Sequence, residues 1–201
     1  MNLIAPQRIL FFISEDWYFW SHRRNIAAAA RREGYDVWLA TRVGELETAI
    51  RAKSGLRARV YDVDGVGITD KSAHANELCA ELRKTPKGLT FICAVAHQNL
   101  AAMAQNTRQP VIEECDAGLI KIVVPIFVGD EFVGAAGGCG LLMAEDGEVD
   151  DFMIHKTTEL PEARIAELAE GISTITASQV KALADFIQEE VRRVVDQNRP
   201  D

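Results

Sequence analysis

The stretch VIEECDAGLIKIVVPIFVGDEFVGAAGGCG, residues 111–140, decides how this chain folds. Cys115, Asp116 and a Gly118-Leu119 step lead into the apolar run Ile120–Val128. Gly129-Asp130 separates that run from a second one, Glu131–Ala136, which passes into Gly137-Gly138-Cys139-Gly140. Two apolar runs joined by a two-residue turn containing glycine read as a β-hairpin. The hairpin sets one cysteine at its entrance and another near its exit. Both lie beside glycines, which let other groups approach closely. This is a layout for a small-molecule pocket on a sheet rather than for a catalytic machine.

The same reading extends outward. Glu45 to Lys53 is expected to be a short helix, ended by Gly55. Leu56 to Val63 is expected to be a strand turning at Asp64-Gly65, with a returning strand at 67–69. Ser72 to Lys84 reads as a helix. From Pro86, the residues Leu89, Ile92, Cys93, Ala96, Leu100 and Met103 fall on one stripe of a second helix. The acids Glu145, Asp146, Glu148, Asp150 and Asp151 mark a solvated loop. Pro161 opens a helix that ends at Gly171. Thr176 and Gln179 form a capping box for the last helix. Its apolar positions Val180, Leu183, Ala184, Ile187, Val191 and Val194 can pack on the sheet or on another subunit.

Particular pieces of this pattern carry a resemblance. They are Cys115-Asp-Ala-Gly-Leu119, Val124-Pro-Ile126, Gly129, Val133-Gly134 and Gly137-Gly138, preceded by Gly55–Gly65 and by Cys79, Gly88 and Cys93. Residues 44–195 resemble the PocR-type sensory domain, a PAS-like ligand-binding module of bacterial signalling proteins. The resemblance departs at Asp116, where such domains often carry histidine, and at Cys139, where a polar residue is more usual. It implies an α/β (α+β) fold, a PAS-like antiparallel sheet with flanking helices. It also implies a pocket for a small organic metabolite such as a short diol. Tyr61, Cys115, Asp116, Gly118 and Cys139 would line that pocket, with Tyr61 and His97 as polar groups. Asp116 could accept a hydrogen bond from a ligand hydroxyl, or could simply cap the Ala117-Gly118 turn.

Residues 1–43 read as a separate βαβ segment. Ile9–Ile13 is an apolar run suited to a strand buried on both faces. Ser21–Glu33 is rich in Ala and Arg, a strong helix former. Gly34 would stop that helix, and Tyr35–Ala40 returns as a parallel strand. Ser14–Arg23 and Gly34–Arg42 give residues 8–42 a resemblance to the first βαβ unit of family-4-type glycosyltransferases of the GT-B fold. The donor-sugar domain of that fold is absent from the sequence, so a fragment without activity is what this resemblance implies. His22 reads as a residue near a helix start. The domain boundary is placed between residues 43 and 44.

Charge and cysteine content narrow the classes further. Residues 1–43 carry six Lys and Arg against four Asp and Glu, whereas 44–201 carry sixteen against twenty-six. An acidic body repels phosphate backbones, which argues against nucleic acid as a partner. No run approaches the roughly 18 apolar residues of a membrane helix. The N-terminus lacks a basic region and a cleavage site, so a cytoplasmic protein is expected.

The cysteines, Cys79, Cys93, Cys115 and Cys139, form no Cys-x-x-Cys pair. They read first as small buried hydrophobes. Cys93 and His97 are four apart on one helix and could face one ion. With Cys79, Cys115 and Cys139 they could hold zinc or an iron–sulfur cluster. Two thiols close in space could instead make a redox sensor. No Walker loop, nucleophile elbow or dinucleotide glycine pattern is present. The expectation is therefore a sensory module, not an enzyme. It would bind a small organic ligand and signal through a separate kinase or regulator, or through a homodimer, with the last helix as transmitter.

Overall fold

A computed structural model of the chain describes residues 8–12, 22–40, 45–65, 67 and 74–197. The chain divides into two compact units, Met1–Glu45 and Leu46–Asp201. In the first, strands β1 (Arg8–Phe12) and β2 (Asp36–Ala40) pair in parallel, Arg8 opposite Asp36 and Phe12 opposite Ala40. Helix α1 (Arg24–Arg32) joins them. Its alanines cost little side-chain entropy in a helix, and Gly34 follows it at φ 86°. This is the βαβ order expected from the sequence. Residues 13–21 and 41–44 of that reading lie outside the described residues.

The second unit is built on an antiparallel sheet. Its elements are α2 (Glu45–Ser54), β3 (Arg57–Tyr61), α3 (Glu77–Lys84), a π-helical turn (Gly88–Ala94) running into α4 (Val95–Thr107), β4 (Val111–Glu114), β5 (Ile120–Val128), β6 (Glu131–Met143), α5 (Asp151–Thr158), α6 (Glu162–Ala169), β7 (Thr174–Ile175) and α7 (Ala177–Gln197). The strand order is β3-β6-β5-β4, all antiparallel, and β7 pairs in parallel with the end of β6. Helices flank this sheet, as the PAS-like expectation requires.

The two-residue alternation of the strands sorts their side chains onto two faces. One face carries Ala58, Ile122, Val124 and Ala136, which pack with Leu46 and Ile50 of α2 and with Val180, Leu183, Ala184, Ile187 and Val191 of α7. The last helix therefore spends its apolar stripe on the sheet of its own chain. Its capping box is formed: the Gln179 N–H donates to Thr176 Oγ1 at 3.3 Å, and the Thr176 N–H to Gln179 Oε1 at 2.9 Å. The opposite face carries Arg57, Arg59 and Tyr61 of β3, Lys121 of β5 and Cys139 of β6. On that face Leu100 and Ala104 of α4 pack on Val111, Val123 and Ala135.

Four expectations change. The stripe drawn from Pro86 to Met103 assumes regular α-helical spacing, but the chain passes through a π-helical turn, which holds an extra residue. The phase shifts, and Leu89 and Met103 emerge exposed while Ile92, Ala96 and Leu100 stay buried. Helix α3 begins at Glu77, where Asn76 caps it, and residues 72 and 73 of the longer expected helix lie outside the described residues. Of the returning strand expected at 67–69, Gly67 makes a single antiparallel bridge to Tyr61, and 68–69 are not described. The acidic loop also ends in a helix of its own: Asp150 caps α5, accepting from the Met153 N–H at 2.8 Å.

Candidate functional site

The site begins with a cross-strand row. Arg57 on β3 lies opposite Cys139 on β6, and Cys139 lies opposite Lys121 on β5. The β5–β6 register slips between Ile120 and Lys121, so that Ile120 pairs with Leu141 and Gly140 is the extra residue. This is a β-bulge, and Gly140 adopts φ 112°, a conformation L side chains rarely take. The bulge reverses the alternation beyond it. Cys139 stays on the Lys121 face, while Leu141 joins the core on the other face beside Ile120.

The bulge also fixes the helix above it. Asn76 Nδ2 donates to the Gly140 carbonyl at 2.7 Å, and Asn76 Oδ1 accepts the Cys79 N–H at 2.7 Å. One side chain thus caps α3 and ties the start of that helix to β6, next to Cys139. A Cβ added to Gly140 would stand 3.6 Å from Cys79 Sγ. The π-helical turn places Cys93 on the same side. Gly88 is needed at its start, because a Cβ there would strike the Leu82 carbonyl.

The hairpin entrance supplies the next wall. The Gly118 N–H donates to the Cys115 carbonyl at 2.8 Å, and the Cys115 N–H to the Leu119 carbonyl at 2.9 Å. Gly118 sits at φ 76° with the Glu148 carbonyl pressed where a Cβ would be. These bonds hold Cys115 under the sheet edge and leave Asp116 exposed at the tip of the turn.

Together these elements enclose a cavity of about 160 Å3. Cys79, Cys93, Cys115 and Cys139 all line it, although sixty residues separate the first from the last in the chain. Tyr61 and His97 line it as a stacked pair, ring centroids 3.4 Å apart with 23° between planes. Of the residues expected at a site, Tyr61, Cys79, Cys93, His97, Cys115 and Cys139 converge here. Asp116 and Gly118 are not among the lining residues: the turn that positions Cys115 turns the aspartate outward to solvent. His22 belongs to the other unit and is exposed.

Sequence reading missed the cations. Arg57, Arg59, Arg83 and Lys121 also line the cavity, with Leu82, Ile92 and Leu119 as apolar wall. The signal was available. Arg57, Arg59 and Tyr61 alternate along β3, and Lys121 interrupts an otherwise apolar strand.

Electrostatics follow from burial. Burial pushes the thiols of Cys79, Cys93 and Cys115 above their ordinary value, against weaker opposing help from Arg83 at Cys93 and from the Ala117 and Leu119 backbone at Cys115. Burial, with Lys121 and Arg59 adding to it, pulls His97 down to about 3. Burial, then Arg83 and Arg59, lowers the Arg57 guanidinium. Burial alone would lower Lys121, but Cys139, Tyr61, Cys115 and Cys93 oppose it as they ionise, and the ammonium is raised. At neutral pH Cys79, Cys93 and Cys115 are thus neutral thiols and His97 a neutral imidazole, beside the Lys121 ammonium.

As donors, four thiols have the softness that zinc or an iron–sulfur cluster takes. Among the described residues, however, no group of three or more His, Cys, Asp or Glu is arranged to hold a metal ion. The cysteines are free thiols.

A family model for the sensory domain found in PocR matches residues 41–198. The chain belongs to the PocR sensory-domain family. The cavity lies wholly within the PocR domain, and the Cys115–Leu119 piece that carries the resemblance is the turn that shapes it. No curated protein and no solved structure matches the chain. The likeness of residues 8–42 to a glycosyltransferase is not borne out: the matching family begins at residue 41, and no curated protein or solved structure supports it. A strand–helix–strand order alone is common to many folds and carries no function. Among the described residues no helix is long and apolar enough to cross a membrane.

Proposed function

We propose that the PocR domain of this chain is a sensory module that binds a small molecule in the cavity between the sheet and α3–α4, and is not an enzyme. The observation that carries this reading is the convergence, inside a sensory domain, of Tyr61, His97, Lys121 and all four cysteines on one cavity of about 160 Å3. An apolar cavity of about 150 Å3 takes up a benzene-sized molecule, so the scale suits a ligand of a few carbon atoms. The sheet separates the cavity from α7. A ligand that shifts the Arg57–Cys139–Lys121 row moves the strands whose other face carries Ile187 and Leu183. That gives α7 the means to report occupancy to a partner regulator or to a second copy of the chain.

A thermal-shift screen of small metabolites, short diols included, tests the reading. At least one compound is expected to raise the melting temperature of the wild-type chain and to lose that effect in Cys93→Phe, which fills the cavity. Failure of every small molecule, metal ion and redox treatment to move stability or assembly would sink it.

A second reading is favoured by one observation, that four cysteines distant in sequence line the same cavity. On it the domain senses metal, an iron–sulfur cluster or redox state through those thiols. Protein purified without oxygen would then carry stoichiometric iron and sulfide, or zinc. Replacing Cys93 or Cys115 with Ser would remove it. A colourless, metal-free protein leaves the organic ligand.

A further inference from the structure

We infer that the cavity is built for a small organic anion, a short carboxylic acid of about six heavy atoms bound as its carboxylate against Lys121. The inference rests on the reading of this cavity as the sensory site and names the class of its ligand.

Residues 44–201 carry twenty-six acids against sixteen bases, so an average patch of this unit is acidic. The cavity inverts that balance. None of its lining residues is Asp or Glu, while Arg57, Arg59, Arg83 and Lys121 all face it. The strand register brings Arg57 and Lys121 to the two sides of Cys139 in one row. Arg83 and Arg59 stand close enough to Arg57 to depress its guanidinium. Lys121 is 6% exposed, and among the described residues no carboxylate pairs with it. A buried ammonium without a counter-charge is costly. Burial holds the thiols of Cys79, Cys93 and Cys115 protonated, so those three supply none at neutral pH. A bound anion would.

His97 adds a second, independent gap. The imidazole is 3% exposed, and neither ring nitrogen has a hydrogen-bond partner. A neutral imidazole offers one donor and one acceptor, which suits a carboxylate oxygen or a hydroxyl on the same ligand. The remaining wall is apolar, formed by Leu82, Ile92 and Leu119. Inorganic phosphate or sulfate would leave that wall without contact, whereas the alkyl or aryl part of a small acid covers it. The volume sets the size at roughly that of benzene.

The test is isothermal titration of the full chain at neutral pH and low salt. The titrants are propionate, butyrate, succinate and benzoate, each beside its uncharged amide, with inorganic phosphate as a further probe. At least one carboxylate is expected to bind, its amide roughly tenfold to a hundredfold more weakly, as loss of one charged hydrogen bond implies. Lys121→Met, which keeps the side chain's length, is expected to weaken the carboxylate by a similar factor and leave the amide unchanged. The acid–amide comparison on wild-type protein stands even if that variant fails to fold. Amides binding as tightly as the acids would overturn the anion and leave the sensory cavity standing. So would phosphate binding where the carboxylates do not, or a carboxylate indifferent to Lys121→Met. Iron, sulfide or zinc in the purified protein, or no binding by any of these acids, would overturn the anion, while the sensory cavity would fall only if the thermal-shift screen of small molecules, metal ions and redox treatments also failed.

Discussion

His97 shows how one side chain couples site and stability. It is buried against Tyr61 among cations, and its pKa falls from an ordinary 6.5 to about 3. The unfolded chain takes up a proton below pH 6.5 that the folded chain refuses until about pH 3. The stability is therefore present above pH 6.5 and is lost as pH falls toward 3. Each pH unit across that window corresponds to about 1.4 kcal/mol, so about 2 kcal/mol should be gone by pH 5, above the range where most carboxylates titrate. Urea denaturation at pH 7 and pH 5 should show this loss in the wild type and a much smaller one in His97→Phe. His74, also lowered by burial and then by Arg57 and Arg83, works in the same direction, so the difference between the two proteins isolates His97. An equal loss in both would refute the assignment. Residue identity alone gave no hint of this, because a histidine at helical spacing from a cysteine reads equally as a ligand or as core.

At the level of elements, α7 is the informative case. Its apolar stripe is plain in the sequence, and so is the capping box that starts it, yet the stripe leaves open whether it meets the sheet or another chain. The structure buries Leu183 and Ile187 against Ile122 and Val124. Ile187 is 0% exposed, so Ile187→Asp would set a carboxylate in the core. A loss of about 4 kcal/mol or more is expected, seen as a collapsed or absent cooperative melt by circular dichroism. An unchanged melt with a halved mass in sedimentation would instead make the stripe a subunit interface. The hairpin was equally legible, from its Gly129-Asp130 turn and its apolar runs. The bulge at Gly140 was not. Consecutive glycines permit a bulge at several positions, and the one used is selected by Asn76, which reaches the Gly140 carbonyl from another element.

For the whole molecule, among the described residues the hydrophobic clusters of the second unit are built from members between Leu46 and Val195. The fragment Leu46–Asp201 is therefore expected to fold alone, with a single cooperative thermal transition and the same ligand response as the full chain. Aggregation of the fragment, or loss of its transition, would show that the first unit is required. The sequence by itself determined the hairpin and its turn, the capping box and apolar stripe of the last helix, and the residue types able to do chemistry, because those signals act over a few neighbouring residues. Only the tertiary structure decided that Cys79, Cys93, Cys115 and Cys139 share one cavity, that Lys121 and Arg57 flank it, and that Asp116 stands outside. These outcomes depend on strand register and on a parity reversal at one bulge, and both are fixed by packing between segments far apart in the chain.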